Sequence, residues 1–280
     1  TIACMGKAIE RHYSKENLLE RIFGALVLAG RDPFTLTVDD LAEVDEFHSR
    51  GRQSTVELAE LVKPSVEDRI LDVGCGLGGS ARFLAQQFGS RIIGVDLTNE
   101  YIKVAEKLTE LVGLNHRCSW VVGSATDLPF DNDSFDIVWT EHAQMNIEDK
   151  PGMYREFARV LKPHGRLAFH DIFAGQAAMI YPVPWAENAS ISFLCTDQNA
   201  RHMLASAHLQ LEIWENKDRE SIAAFEKAVQ TLSGDEKPAL GIHLLMGDNA
   251  SAKIENYLRN LQSGAVTVAM GVAIKNPDLI

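Results

Sequence analysis

Before residue 63 the apolar positions of this chain keep a helical period; after it they gather into short runs separated by polar and glycine-rich breaks. In residues 7–29, Ile9, Leu18, Leu19, Ile22, Phe23, Leu26 and Val27 share one side of a helix. Ser14 reads as the N-cap of a helix beginning at Lys15, with Glu16 and Asn17 in its first turn, and Gly30 and Pro33 end the unit. Thr37-Val38-Asp39-Asp40-Leu41 opens a second short helix, Asp45 to Thr55 is polar and turn-like, and a helix over 54–62 leads into Lys63-Pro64.

From residue 69 strands and helices alternate. Strands are predicted at 69–73, 91–95, 118–122, 135–139 and 166–172, and helices at 79–88, 99–112 and 149–161. Runs such as Ile70-Leu71 and Ile92-Ile93 suit strands covered on both faces. The alternation predicts an α/β fold with a doubly wound, mostly parallel sheet. Residues 174–195 are irregular, with Pro182 and Pro184 two apart, where neither a helix nor a central strand is tolerated. A helix at 197–207, a strand at 209–216, helices at 219–232 and 250–262 and a long apolar strand at 266–274 complete the chain. The reading divides it into an N-terminal helical cap, 1–55, and an α/β domain, 56–280, with a lid-like insert at 174–195.

The most informative stretch is Arg69-Ile70-Leu71-Asp72-Val73-Gly74-Cys75-Gly76-Leu77-Gly78-Gly79-Ser80-Ala81, a strand, a glycine turn and a helix start. Glycines let the backbone turn tightly and approach a ligand, and the helix N-terminus offers free N–H groups to an anion. Asp72 precedes the turn, where its carboxylate can accept from a cationic or hydroxylated ligand, and Asp96 ends the next strand, where an acid suits a ribose diol. Gly74, Gly76 and Gly79 also satisfy the dinucleotide pattern, so the turn alone allows a nicotinamide cofactor.

Asp72-Val73-Gly74-Cys75-Gly76-Leu77-Gly78 resembles the first motif of class I S-adenosylmethionine-dependent methyltransferases of the small-molecule type. Three further stretches agree with that family in order and spacing: Gly123 to Phe130, Ser134 to Trp139 and Arg159 to Leu167. The nearest look-alikes are the sarcosine/dimethylglycine and phosphoethanolamine N-methyltransferases and the quinone and tocopherol C-methyltransferases. The resemblance covers residues 55–175 and implies a Rossmann-like, seven-stranded sheet whose last strand is antiparallel. It implies methyl transfer from S-adenosylmethionine, leaving S-adenosylhomocysteine, to a small-molecule amine, hydroxyl or carbon. It also assigns cofactor roles: Gly74 and Gly76 for backbone approach, Asp72 for the methionyl end, Asp96 for the ribose, Leu97, Ala125 and Thr126 for the adenine, and Thr140 beneath the methionyl group. The chain departs from the family in having Ser124 where Asp is frequent, with Asp127 as a substitute.

The loop Thr140-Glu141-His142-Ala143-Gln144-Met145-Asn146-Ile147 leaves the carboxyl end of the fourth strand, where open α/β sheets place their ligands. Asn146 stands where related enzymes have His; Asn orients but takes no proton, which leaves His142 as the catalytic base candidate. His170, beside Asp171, and Trp185, between two prolines, are candidates for the acceptor site; only one of His170 and Asp171 can face the cleft. His12-Tyr13 resembles the tyrosine that closes over the donor in related amine methyltransferases, which makes Tyr13 the second catalytic candidate; His48 lies in the same cap. A structural reading stands beside each: a histidine bonded to backbone, a core tyrosine, a packing tryptophan.

The net charge of −12 disfavours nucleic acid, and no apolar run reaches the length of a membrane span. Lys7, Glu10 and Arg11 interrupt any early apolar stretch, so no secretory leader is expected. Cys4, Cys75, Cys118 and Cys195 are scattered, which points to a reducing cytoplasm and to neither a metal site nor a disulfide framework. A homodimer, a nicotinamide-dependent oxidoreductase and a cofactor-binding relative without turnover stay open at this point.

Overall fold

The structure is a computed structural model that describes residues 2–14, 17–233 and 238–279, the side chains of 2–5 and 279 excepted. Its N-terminal part is helical: α1 (Ile2–Tyr13), α2 (Leu18–Leu28), α3 (Val38–Asp45) and α4 (Arg52–Val62). The expected cap at Ser14 is corrected. Its N–H donates to the carbonyl of Glu10 at 2.8 Å, so Ser14 closes α1 instead of opening α2. The residue before α2 is Asn17, left-handed at φ 54°; Lys15 and Glu16 lie outside the described residues. Thr37 does start α3, with a full capping box to Asp40. The turn-like stretch after it is shorter than predicted, because α4 begins at Arg52.

The α/β part follows in order: β1 (Arg69–Val73), α5 (Gly79–Phe88), β2 (Arg91–Asp96), α6 (Asn99–Leu111), β3 (Cys118–Val122), β4 (Phe135–Glu141), α7 (Lys150–Val160), β5 (Leu161–Ala174), α8 (Asp197–Ser206), β6 (Leu209–Asn216), α9 (Asp218–Ser233), α10 (His243–Met246), α11 (Ala250–Ser263) and β7 (Val266–Lys275). The strands form one seven-stranded sheet in the order β3-β2-β1-β4-β5-β7-β6. β1 to β5 are parallel, and β7 runs antiparallel to both β5 and β6. β5 is longer than its apolar run because Leu161 pairs with Phe135 before a register shift and Ala174 pairs with Val266.

The order reverses between β1 and β4, where Asp72 is in register with Trp139. That reversal leaves a crevice beyond the strand ends. On one face α4 and α5 pack Leu58, Val62 and Leu84 onto Ile70, Ile137 and Trp139. On the other, α7 and α8 pack Phe157 and Leu204 onto Leu71, Val138 and Leu167. Each such fully buried aliphatic side chain stabilises by roughly 1.5–3 kcal/mol.

The helical cap does not stand alone above the sheet. Tyr13, Phe47 and Trp185 share one apolar cluster with Phe225, Met246 and Tyr257, so α1, the 174–195 insert and α9 to α11 roof the crevice together. A second cluster joins Leu18, Ile22 and Leu26 of α2 to Tyr101 of α6 and Leu245 of α10. Val27, predicted to lie on the apolar side, is 58% exposed. Among the described residues, no helix is long and apolar enough to cross a membrane.

Candidate active site

One cavity opens at the carboxyl ends of β1, β2 and β4 under this roof. Its floor is the turn after β1. Gly74, Gly76 and Gly78 have φ of +75°, +53° and +83°, values that side chains rarely adopt. The turn is tied down by Gly74 and Cys75, whose N–H groups donate to the carbonyl of Val95 at 2.8 and 3.1 Å. A Cβ on Gly74 would lie 2.5 Å from Cβ of Ala143, whereas one on Gly76 would meet nothing within 4 Å. Gly76 is therefore the glycine that leaves room for a ligand.

The third glycine of the pattern has a different purpose. A Cβ on Gly79 would stand 2.6 Å from the carbonyl oxygen of Asp45 and from Cγ of Glu46. The first turn of α5, where an anion was expected to dock, is covered by two acidic residues of the N-terminal segment. Asp45 is locked there by Arg82: the guanidinium meets its carboxylate at 2.6 Å, with both side chains fully buried. Arg82 also donates to the carbonyl of Leu77 at 2.6 Å and to Thr109 Oγ1 at 3.0 Å.

The cavity wall is acidic. Asp96 accepts from the N–H of Gly76 at 3.0 Å and of Thr98 at 2.8 Å, one bond per carboxylate oxygen. Burial raises its pKa against the pull of those bonds. Asp72 is buried, and its Oδ2 has no hydrogen-bond partner. Burial, and then the charges of Glu141 and Asp96, push its pKa well above the usual carboxylate range.

Glu141, at the end of β4, had no role in the sequence reading, yet it is the hub of the inner wall. Its Oε2 accepts from Ser80 at 2.7 Å, Trp139 Nε1 at 3.0 Å and Thr55 at 3.1 Å. Its Oε1 faces Nδ1 of His48 at 3.6 Å and Nδ1 of His170 at 3.5 Å. Burial opposes its charge, but the neighbouring imidazoles of His48 and His170 and the bond from Ser80 overcome it and lower its pKa to about 2. His48, Glu141 and His170 bring their ligand atoms within 4.8 Å of one another, a grouping able to hold a metal ion. No sequence spacing signals it, because the three residues come from three distant segments.

The residues expected to serve a cofactor divide. Asp72, Gly74, Gly76, Asp96, Leu97 and Ala125 line the cavity; Thr126 and Thr140 do not. Ser124 lines it too and accepts from the N–H of Thr126 at 3.2 Å, so the serine that replaces the family's aspartate closes its own turn. Thr140 is buried within β4, with Oγ1 unpartnered. Cys75 also lines the cavity; burial pushes its thiol pKa up, which keeps it protonated and a poor nucleophile.

Of the acceptor-side candidates, His142, Asn146, Trp185 and Tyr13 line the cavity and His170 does not. Asp171 does not line it either; its Oδ2 accepts from the N–H groups of Ala143 and Gln144 at 3.2 and 3.1 Å and so shapes the loop after β4. His142 sits at φ +49°, with Nε2 buried and without a partner. Burial, and then the charges of His170 and His48, drive its pKa well below 6.5, so the ring is neutral. Asn146 accepts from the Tyr13 hydroxyl at 2.7 Å, and its amide donates to the carbonyls of Trp185 at 3.0 Å and Ile191 at 2.8 Å. Trp185 packs edge-on against Tyr257 and gives its indole N–H to Ser192 at 2.9 Å.

A parallel sheet with an antiparallel β7, a glycine turn after β1 and an acid after β2 define a class I S-adenosylmethionine-dependent methyltransferase fold. Residues 71–169 match the model of the methyltransferase domain family. Over 162 residues it is 35% identical to the methyltransferase GfsG of Streptomyces halstedii, an overlap of 58% of this chain and 56% of that protein. Over 125 residues it is 36% identical to the chloroplastic tocopherol O-methyltransferase of Arabidopsis thaliana, 43% of this chain and 35% of that one. The geranyl diphosphate C-methyltransferase of Streptomyces coelicolor A3(2), solved with Mg2+, geranyl diphosphate and S-adenosyl-L-homocysteine, superposes with a TM-score of 0.68 at 17% identity, covering 97% of each chain. The chain thus spans about half the length, or less, of these curated relatives, and the likeness to the solved structure is one of fold.

Proposed function

We propose that this protein transfers a methyl group from S-adenosylmethionine to a small-molecule acceptor. The observation that carries this reading is the charge of the cavity. Asp72, Asp96 and Glu141 line it, and among the described residues no lysine or arginine does. Such a wall suits a ligand with a sulfonium and an ammonium group and repels the diphosphate of a nicotinamide cofactor. The covered first turn of α5 argues the same way, since a diphosphate would have to displace Asp45 and Glu46.

When bound, S-adenosylmethionine supplies a methyl already activated by a positive sulfur. What this chain adds is position, dryness and a proton acceptor. Asp72, with an oxygen free of partners, is placed for the ammonium. Asp96 is fixed by two backbone bonds and keeps lone pairs for a ribose diol. Leu97 and Ala125 offer apolar contact to a base. Tyr13 and Asn146 latch α1 to the loop after β4 and close the roof against water. Neutral His142 is the side chain placed to take a proton from the acceptor.

The net charge of −12 and the acidic cavity support a small-molecule acceptor over nucleic acid. The free thiols of Cys75, Cys118 and Cys195 support a cytoplasmic site of action. Calorimetry tests the reading: S-adenosylmethionine and S-adenosylhomocysteine bind and NAD does not. Binding of NAD, with neither sulfur compound taken up, would overturn it.

A further inference from the structure

The inner wall of the cavity assembles a set of donor atoms that the methyl-transfer reading does not use. Glu141 ends β4 and is in register with His170 of β5, so both side chains leave the sheet on one face. His48 meets them from the cap, just after Asp45, which Arg82 anchors. All three are buried, and one ligand atom from each lies within 4.8 Å of the others.

The hydrogen bonds around these residues leave three atoms turned toward one another. Oε2 of Glu141 is taken by Ser80, Trp139 and Thr55, which leaves Oε1 without a hydrogen-bond partner among the described residues. His170 has neither ring nitrogen bonded, and its Nδ1 faces Oε1 at 3.5 Å. The hydroxyls of Ser80 and Thr55 give their protons to carboxylates and present lone pairs to Nε2 of His48 at 3.5 and 3.4 Å. With its proton on Nε2, His48 turns a bare Nδ1 toward the same Oε1 at 3.6 Å. That Nδ1 also lies 3.1 Å from Oγ of Ser54, but the serine has the carbonyls of Ser49 and Gly51 at 2.8 and 2.9 Å for its own proton. Buried polar atoms left without a partner are costly, and a cation among these three satisfies them together.

Spacing and donor chemistry select the cation. Two ligands of one tetrahedral zinc, each about 2.0–2.1 Å from the metal, stand about 3.3 Å apart. The two histidine–glutamate separations, 3.5 and 3.6 Å, are close to that value. Two imidazoles and a carboxylate suit zinc, whereas magnesium and calcium take oxygen ligands. The outer support that metal ligands need is also in place. Trp139, Ser80 and Thr55 fix the carboxylate, and Oε2 of Glu46 stands 3.9 Å behind Nε2 of His48.

The geometry points to a zinc(II) site in the cavity wall, held by Nδ1 of His48, Nδ1 of His170 and Oε1 of Glu141. Three protein ligands leave a fourth position. Because His48 and Glu141 line the cavity, that position serves a water or an oxygen or nitrogen atom of a molecule bound there. The ion also ties the cap to β4 and β5. Asp72 and Asp96, assigned to the donor, are outside the grouping, so the site does not rest on the methyl-transfer reading.

The experiment titrates zinc chloride into protein stripped with EDTA and dialysed. Calorimetry is expected to show one tightly bound ion per chain, with magnesium chloride unable to compete. His48→Gln and His170→Gln are each expected to weaken zinc binding by about tenfold or more. His116→Gln, an exposed histidine, is expected to change nothing. X-ray absorption at the zinc edge of the wild type needs no variant to fold, and is expected to show a first shell of nitrogen and oxygen with the outer scattering of imidazole. Absence of saturable zinc binding overturns the inference, as does a sulfur ligand in the first shell or full affinity in both folded histidine variants. S-adenosylhomocysteine, titrated in parallel, reads the methyl-transfer assignment separately: its failure to bind would remove that assignment and leave the zinc result standing.

Discussion

The hydroxyl of Tyr13 donates to Oδ1 of Asn146 across 2.7 Å, joining the end of the first helix to the loop after the fourth strand. Asn146 has its other hydrogen bonds in the 174–195 insert, at the carbonyls of Trp185 and Ile191. One amide thus holds together three segments that roof the cavity. Burial, followed by the charges of Asp96 and Asp171, raises the pKa of Tyr13 far above its ordinary value, so the phenol stays a donor and is no base.

Tyr13→Phe keeps the ring and deletes the bond. The Asn146 carbonyl is left buried without its donor, at a cost of about 1–3 kcal/mol. Urea unfolding is expected to show that loss, and limited proteolysis is expected to cut the N-terminal segment faster in the variant. An unchanged midpoint with unchanged cleavage would show that the latch holds nothing.

Asp72→Asn removes the carboxylate assigned to the donor's ammonium. Affinity for S-adenosylmethionine is expected to fall by about 1–3 kcal/mol, in line with a charged hydrogen bond. Because the free carboxyl is raised well above 3.8, binding a cation releases a proton, and wild-type affinity rises with pH until that raised pKa is passed. Calorimetry in buffers of different ionisation enthalpy reads the released proton directly. A wild type and variant with the same pH-independent affinity would retire the assignment.

His142→Ala is expected to lower turnover by about 10²-fold or more while leaving donor affinity nearly unchanged, the pattern of a lost general base. Burial moves the limb of the pH–rate profile: the ring ionises well below 6.5, so wild-type activity persists into mildly acidic buffer. A variant retaining most of its turnover would leave alignment alone to carry the reaction.

Two buried imidazoles bear on stability. His142 and His170 both have folded pKa values below 6.5, the unfolded value. The unfolded chain therefore binds more protons below that pH, so their contribution is whole above 6.5 and is lost as pH falls through the folded values. Asp171 runs the other way: its pKa is raised to about 7 from 3.8, so its contribution is whole below 3.8 and fades as pH rises through 7. Thermal unfolding of His170→Gln against wild type between pH 5 and 7 separates the two; the variant is expected to lose less stability on acidification.

Asp45→Asn leaves Arg82 buried without its counter-charge. Breaking a buried pair by removing one partner costs about 3–5 kcal/mol, whereas replacing both with apolar residues of similar volume costs far less. Asp45→Leu combined with Arg82→Met is therefore expected to recover much of what Asp45→Asn loses in urea unfolding. A double variant as unstable as the single one would place the value of the pair in the bonds of Arg82 to Leu77 and Thr109.

What the sequence determined on its own is local. Ile70-Leu71 and Ile92-Ile93 are apolar runs that become central strands, Thr37 with Asp40 caps a helix, and the glycines at 74 and 76 occupy φ values that other residues rarely take. Each of these rests on a few neighbouring residues, and the acids at 72 and 96 follow because they sit at the ends of those strands. Only the tertiary structure decided the rest. Ser14 reads as a cap in isolation, but it ends a helix because its N–H finds Glu10. Glu141 reads as one more polar residue after a strand, but folding brings it against His48 from the cap and His170 from the neighbouring strand. Gly79 reads as part of a phosphate loop, and the space beside it is taken by Asp45 and Glu46. These outcomes depend on which distant segments meet when the cap and helices α9 to α11 bury their apolar faces over the crevice, and no local pattern encodes that meeting.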